Sequence, residues 1–160
     1  MYEKFGQFID GKWQPSEKNE TYEVINPATE EVIGHASKAA PSDVDKALKS
    51  AERGLEVWKQ TPPWQRSYII RRIADKMREK QDVLAKWMTL EVGKPFAEAK
   101  GEVGGAADIF EWNAEETKRI YGQTVESRFA DTRVHVYYQP VGVVAALTPW
   151  NFPLVLSSRK

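Results

Sequence analysis

Val141-Gly142-Val143-Val144-Ala145-Ala146-Leu147, followed by Thr148-Pro149-Trp150-Asn151-Phe152-Pro153, is the stretch whose reading decides the fold. The run before Thr148 is apolar throughout instead of alternating, the pattern of a parallel strand covered on both faces. The Thr148-to-Pro153 segment reads as a turn, and Pro153 suits the first position of a helix running to Lys160. A βα unit with no second parallel strand after it is unfinished, because the crossover must return to pair. The expected class is therefore α/β, with the chain a fragment that ends inside this unit.

Asn151 is the main candidate for chemistry. It sits just beyond the carboxyl end of the expected strand, where open α/β sheets bind ligands. Its neutral amide can donate to negative charge developing on an oxygen. Residue chemistry leaves a second role open, that of capping the helix at Pro153, since Asn is a favoured cap. Pro149 and Pro153 stiffen the turn. Trp150 and Phe152 read either as core residues or as ligand walls. No GxGxxG loop follows the strand, so the familiar phosphate-cradling motif of dinucleotide folds is missing there.

Working outward, Val134, Val136 and Tyr138 alternate with His135 and Tyr137, which reads as a strand ended by Gln139-Pro140. Before it, a helix over residues 95–119 turns Phe96, Ala99, Val103, Ala107, Phe110 and Ala114 inward. Gly101, Gly104, Gly105 and Ala106 lie within it, and each Gly costs roughly 1 kcal/mol relative to Ala, so close packing is expected at these small residues. Leu84, Trp87, Met88 and Glu91 mark a helix stopped by Gly93 and Pro95. Ile69, Ile73 and Met77 mark an earlier one entered through Thr61-Pro62-Pro63, with a break near Gln81 between the two. Val44, Ala47, Leu48, Ala51, Leu55 and Trp58 recur at helical spacing behind a capping box of Ser42 and Asp45. The N-terminal region reads as β-structure: an Asp10-Gly11 hairpin turn, a strand over residues 22–25, the Asn26-Pro27-Ala28-Thr29 turn, and Val32-Ile33-Gly34.

Composition narrows the function classes. The 160 residues carry 23 basic and 23 acidic side chains, intermixed apart from short clusters such as Arg71-Arg72 and Lys118-Arg119, which read as solvated helix faces. Nucleic acid is not an expected partner. The opening Met1-Tyr2-Glu3-Lys4 leads into no signal core, and the apolar run at 141–147 is far below the roughly 20 residues of a membrane span, so no membrane association and a cytoplasmic location are expected. With no cysteine, the sequence holds no disulfide, thiolate metal site or thiol nucleophile. His35 and His135 have no metal-ligand spacing and read as structural, so no metal site is expected. No repeat, low-complexity tract or linker divides the chain.

The Pro149-Trp150-Asn151-Phe152-Pro153-Leu154 motif after a GVVAALT strand resembles the cofactor- and substrate-side motif of the aldehyde dehydrogenase superfamily. FIDGKW, NPATEEVIG, DVDKAL, TLEVGKP and FEWNAEETKRIYG support it in order, so the resemblance runs from Phe8 to Lys160. It implies the N-terminal part of a Rossmann-like cofactor-binding domain, incomplete. Residues 1–121 form its β-hairpin and helical part, 122–139 the strands of an oligomerisation arm, and 140–160 the first βα unit. The resemblance makes Asn151 the oxyanion-hole asparagine that stabilises the thiohemiacetal. Leu147, Thr148, Pro149 and Trp150 match the segment lining the nicotinamide ribose, and Phe152 lies on the substrate side.

In the family a cysteine attacks the aldehyde, hydride passes to NAD or NADP, and a glutamate activates water to release the acid. Neither the cysteine motif nor the glutamate motif occurs in these residues, so the chain by itself is expected to be inactive. Arg159 corresponds to an arginine that succinate-type semialdehyde dehydrogenases use to hold the substrate's distant carboxylate, a contact suited to a bidentate, charge-assisted pair. Its other reading is a surface arginine near a helix end. The expected function is oxidation of an aldehyde, with a semialdehyde the leading class, by a homodimer or homotetramer of complete subunits. The alternative is a stand-alone non-catalytic module whose arm strands pair with full-length subunits, since an exposed strand edge invites pairing.

Overall fold

The computed structural model describes residues 6–160, so the Met1-to-Lys4 opening lies outside the described residues. Asp10 and Gly11 take φ of 56° and 75°, the two positive values that a tight two-residue hairpin turn demands. They join strand β1 (Gln7–Ile9) to β2 (Lys12–Gln14). Asn26 closes the next turn by accepting the Ala28 amide on Oδ1 at 2.9 Å, an Asx turn. This turn joins β3 (Thr21–Ile25) to the antiparallel β4 (Val32–Ser37).

Four long helices follow: α1 (Pro41–Gln60), α2 (Pro63–Glu79), α3 (Gln81–Val92) and α4 (Phe96–Glu116). The capping box falls elsewhere than expected. The N-cap of α1 is Ala40, and the carboxylate reaching back to its amide, at 3.0 Å, belongs to Asp43. Ser42 instead donates to Glu17. The break between α2 and α3 lies at Lys80, next to the expected Gln81. Gly93 ends α3 with φ of 74°, the left-handed stop expected of it. A 3₁₀ turn (Thr117–Arg119) ends α4 before the hairpin of β5 (Gln123–Glu126) and β6 (Arg133–Val136), and α5 (Pro153–Ser158) closes the chain. In that hairpin the His135 ring nitrogen Nδ1 lies 3.1 Å from Thr124 Oγ1.

The core forms around α4, against which α2, α3 and α5 pack. Its inward stripe is mostly small: Ala99, Val103, Ala106, Ala107 and Ala114 are fully buried. Such residues let helix axes approach closely. Ala85 and Met88 of α3 complete the central cluster, with Leu84, Met77, Val92 and Leu154 packed on its border. Phe96, expected inward, is exposed, and Phe110 is half-buried. Gly105 faces Val155 of α5 and Gly104 faces the Gln81 amide, which is the close packing expected of them, whereas nothing lies within 4 Å of a Cβ at Gly101. Ion pairs from Arg71 to Glu111 and Glu115, and from Arg78 to Asp108 and Glu111, line the α2–α4 seam. The cluster at Lys118-Arg119 is likewise paired, with Glu115 and Glu116.

The strand expected after Pro140 does not form among the described residues, and the ends of the stretch 141–147, Val141 and Leu147, are each 92% exposed. A parallel strand draws its hydrogen bonds from neighbours in one sheet. The described residues form three two-stranded antiparallel sheets, and this stretch pairs with none of them. The fold is mixed helix and strand, as expected, but its parallel sheet is not among these residues. The helix expected from Val44, Ala47, Leu48, Ala51, Leu55 and Trp58 forms as α1, and its apolar face is largely open, with Val44, Leu48 and Trp58 exposed. Among the described residues no helix is long and apolar enough to cross a membrane.

Candidate functional site

The turn carrying Asn151 is held by two charged residues from the corner between α3 and α4. Lys94 follows directly on the left-handed Gly93, which swings the chain from one helix into the next. Its ammonium donates to the Asn151 backbone carbonyl at 2.9 Å and lies 3.9 Å from the centroid of the Phe152 ring. The same ammonium pairs with Glu102 of α4. The other carboxylate oxygen, Oε1, accepts the backbone amides of Leu154 at 3.0 Å and Val155 at 3.3 Å. Those amides belong to the first turn of α5, where no backbone acceptor exists within the helix. The Lys94 side chain is 10% exposed and that of Glu102 only 2%.

This arrangement bears on the two roles open to Asn151. The N-cap of α5 is Phe152, with no side-chain capping bond, and the acceptor for the first-turn amides is Glu102. Asn151 therefore does not cap the helix. Its carbonyl is pinned, while the residue as a whole is exposed and its side chain makes no hydrogen bond among the described residues. A donor amide on a fixed backbone, turned toward solvent, can stabilise charge on a bound oxygen.

The other expected site residues lie along the same segment. Leu147 is almost fully exposed, Thr148 half-buried, Pro149 exposed and Trp150 76% exposed. They present a largely apolar surface beside Asn151. Phe152 is exposed on its outer side, beneath the Lys94 ammonium. Arg159 is the C-cap of α5; its backbone amide donates to the Val155 carbonyl at 3.2 Å. Its exposed guanidinium makes no hydrogen bond or ion pair among the described residues.

Lys94 and Glu102 were missed in the sequence, and a signal for one of them was there. Glu102 stands on the apolar stripe of α4, between Ala99 and Ala106 at helical spacing. A carboxylate on such a face has to be paired and hydrogen-bonded, because an isolated buried charge is far too costly. The partners came from 8 positions before it and 52 and 53 positions after it, beyond the reach of local periodicity.

Residues 13–160 match the model of the aldehyde dehydrogenase family. The chain is 44% identical over 153 residues to glutarate-semialdehyde dehydrogenase of Pseudomonas aeruginosa, an overlap of 96% of this chain and 32% of the relative. It is 45% identical over 152 residues to the NADP(+)-named succinate-semialdehyde dehydrogenase of Escherichia coli, an overlap of 95% and 32%. The crystal structure of succinate-semialdehyde dehydrogenase from Burkholderia pseudomallei superposes with a TM-score of 0.93 at 39% identity, covering 100% of this chain and 33% of that one. The chain thus spans about a third of the length of the curated relatives it matches. Its fold is an N-terminal portion of the fold of these proteins.

Proposed function

The chain belongs to the aldehyde dehydrogenase family, and from that footing we propose that the complete subunit oxidises a semialdehyde to the carboxylic acid with NAD or NADP. The observation that carries the reading is the exposed Asn151 amide on a turn whose backbone is anchored at the Asn151 carbonyl and at the Leu154 amide. In this reading Asn151 is catalytic. Its side-chain N–H donates to the aldehyde oxygen as that oxygen takes on negative charge, lowering the barrier because the donor is already in place. NAD or NADP supplies the hydride acceptor. Leu147, Thr148, Pro149 and Trp150 bind its nicotinamide ribose, their apolar surface excluding water from the reacting atoms. Phe152 bounds the substrate side.

Residues 122–139 act as an arm that pairs with a neighbouring subunit in a homodimer or homotetramer. Both strands of this segment are exposed along their whole length. The same exposure favours a second reading, a non-catalytic module that pairs with full-length subunits through these strands. A coding sequence that continues past Lys160 into cysteine and glutamate motifs supports the enzyme reading, and a stop codon there supports the module.

In this reading Arg159 selects the substrate class. Its guanidinium is unpaired among the described residues and sits at the end of the helix that Asn151 precedes. A free, always-charged fork suits the far carboxylate of a semialdehyde. Two relatives similar to this chain are themselves named for semialdehydes. The test is Arg159→Ala in the complete subunit. Use of succinate or glutarate semialdehyde is expected to weaken by the worth of a charged hydrogen bond, about 1.5–3 kcal/mol. An uncharged aldehyde of similar length is expected to lose much less. Parallel losses, or none, would remove the semialdehyde assignment.

A further inference from the structure

We infer that Lys94 and Glu102 are positioning residues that set the working geometry of Asn151. The inference rests on the reading of Asn151 as the oxyanion donor. An oxyanion donor is effective only when its heavy atom stands about 2.7–3.1 Å from where the charge develops. The Asn151 side chain makes no hydrogen bond of its own among the described residues, so the backbone beneath it determines where the amide can go. That backbone is tied at two points that follow directly on the Asn151 side chain's attachment, at the carbonyl bonded to its Cα and again at the start of α5. Lys94 holds the carbonyl of residue 151, and Glu102 holds the amides of residues 154 and 155.

Stability alone is a poor account of this pair. Replacing a buried ion pair by apolar side chains of similar volume is often neutral or stabilising, and the surrounding cluster of Ala99, Val103, Met88 and Leu154 is apolar. What an apolar pair would not supply is a directional hold on three named backbone atoms. The pair is itself fixed from behind. Gly93 in the left-handed conformation presents Lys94 to the turn, and the Phe152 ring lies 3.9 Å from the ammonium.

The experiment is a double-mutant cycle in the complete subunit. Lys94→Met with Glu102→Gln removes both charges together, so no unpaired charge is left buried, and the glutamine carbonyl still accepts the two amides. The hold on the Asn151 carbonyl is lost. The expected result is an unchanged oligomer and a cofactor Kd within about twofold of the parent, with kcat lowered ~10-fold or more and the aldehyde KM changed less. Combined with Asn151→Ala, the pair is expected to add less than about twofold to the loss from Asn151→Ala alone, since both act through one amide.

A kcat near the parent's, or losses that multiply, would overturn the inference. Should the paired variant fail to fold, Glu102→Asp carries the same cycle, because it keeps the charge while drawing the carboxylate back from the Leu154 and Val155 amides. Full kcat in that variant likewise overturns the inference. The two readings fail separately. If Asn151→Ala leaves kcat intact, the oxyanion role itself falls and the positioning role with it. If Asn151→Ala is damaging and the pair variant is not, only the positioning role falls.

Discussion

At the scale of single residues, the informative contrast is between two polar side chains at helix starts. Asp43 is turned inward and saturated: its carboxylate accepts the Ala40 and Glu17 amides, each at 3.0 Å, and the Gln7 side-chain amide at 3.2 Å. Those bonds, the Ala40 amide first, pull its pKa from the ordinary 3.8 down to about 2. Because the folded value is the lower one, the stabilisation is complete above the ordinary value and fades as pH falls through about 2. Asp43→Asn is therefore expected to lower Tm at neutral pH, with the gap to the parent closing as acid is added over that window. A gap that stays constant to the acid end would refute it. Asn151 is the opposite case, exposed, with the capping work done by Glu102. Asn151→Ala in the complete subunit is expected to lower kcat about a hundredfold while cofactor affinity is nearly unchanged. Equal losses in both would point to a structural role for the turn.

At the scale of elements, what was legible in the sequence was what is decided within a few residues. Asp10-Gly11 and Gly93 announce positive φ, and the helix break expected near Gln81 falls at Lys80. The stretch 141–147 forms no strand among the described residues because its pattern describes burial between partner strands, and pairing is a property of the partners as well. The Lys94–Glu102 hold escaped for the same reason: its contacts join segments more than 50 positions apart. Gly93 offers a prediction here, since a Cβ at that position would stand 3.0 Å from the Pro27 ring as well as in the left-handed region. Gly93→Ala is expected to destabilise the complete subunit by about 1–2 kcal/mol from backbone strain alone. Gly101→Ala, with nothing within 4 Å, is expected to be neutral or to stabilise by up to about 1 kcal/mol. Thermal unfolding of the two variants side by side decides it, and equal effects would refute the assignment of Gly93 as the strained position.

At the scale of the whole molecule, the described residues leave much apolar surface uncovered. The open face of α1, the β5–β6 hairpin and the 141–152 segment expose Val44, Leu48, Val125, Val134, Val141, Val144, Leu147 and Trp150. Surfaces of this extent mark places where other protein is meant to pack. The 160-residue chain alone is expected to self-associate at micromolar concentration, and a cooperative thermal transition of a monomer, followed by light scattering, would count against that. The same chain holds a candidate oxyanion donor and a proposed cofactor-side surface but no cysteine anywhere in its sequence to serve as nucleophile. The most direct test is to follow NAD(P)H formation from succinate or glutarate semialdehyde with the 160-residue chain, purified free of host dehydrogenases, beside the complete subunit. The account predicts no turnover by the chain and semialdehyde oxidation by the complete subunit; turnover by the chain alone, or a complete, folded subunit that oxidises no aldehyde, would contradict it.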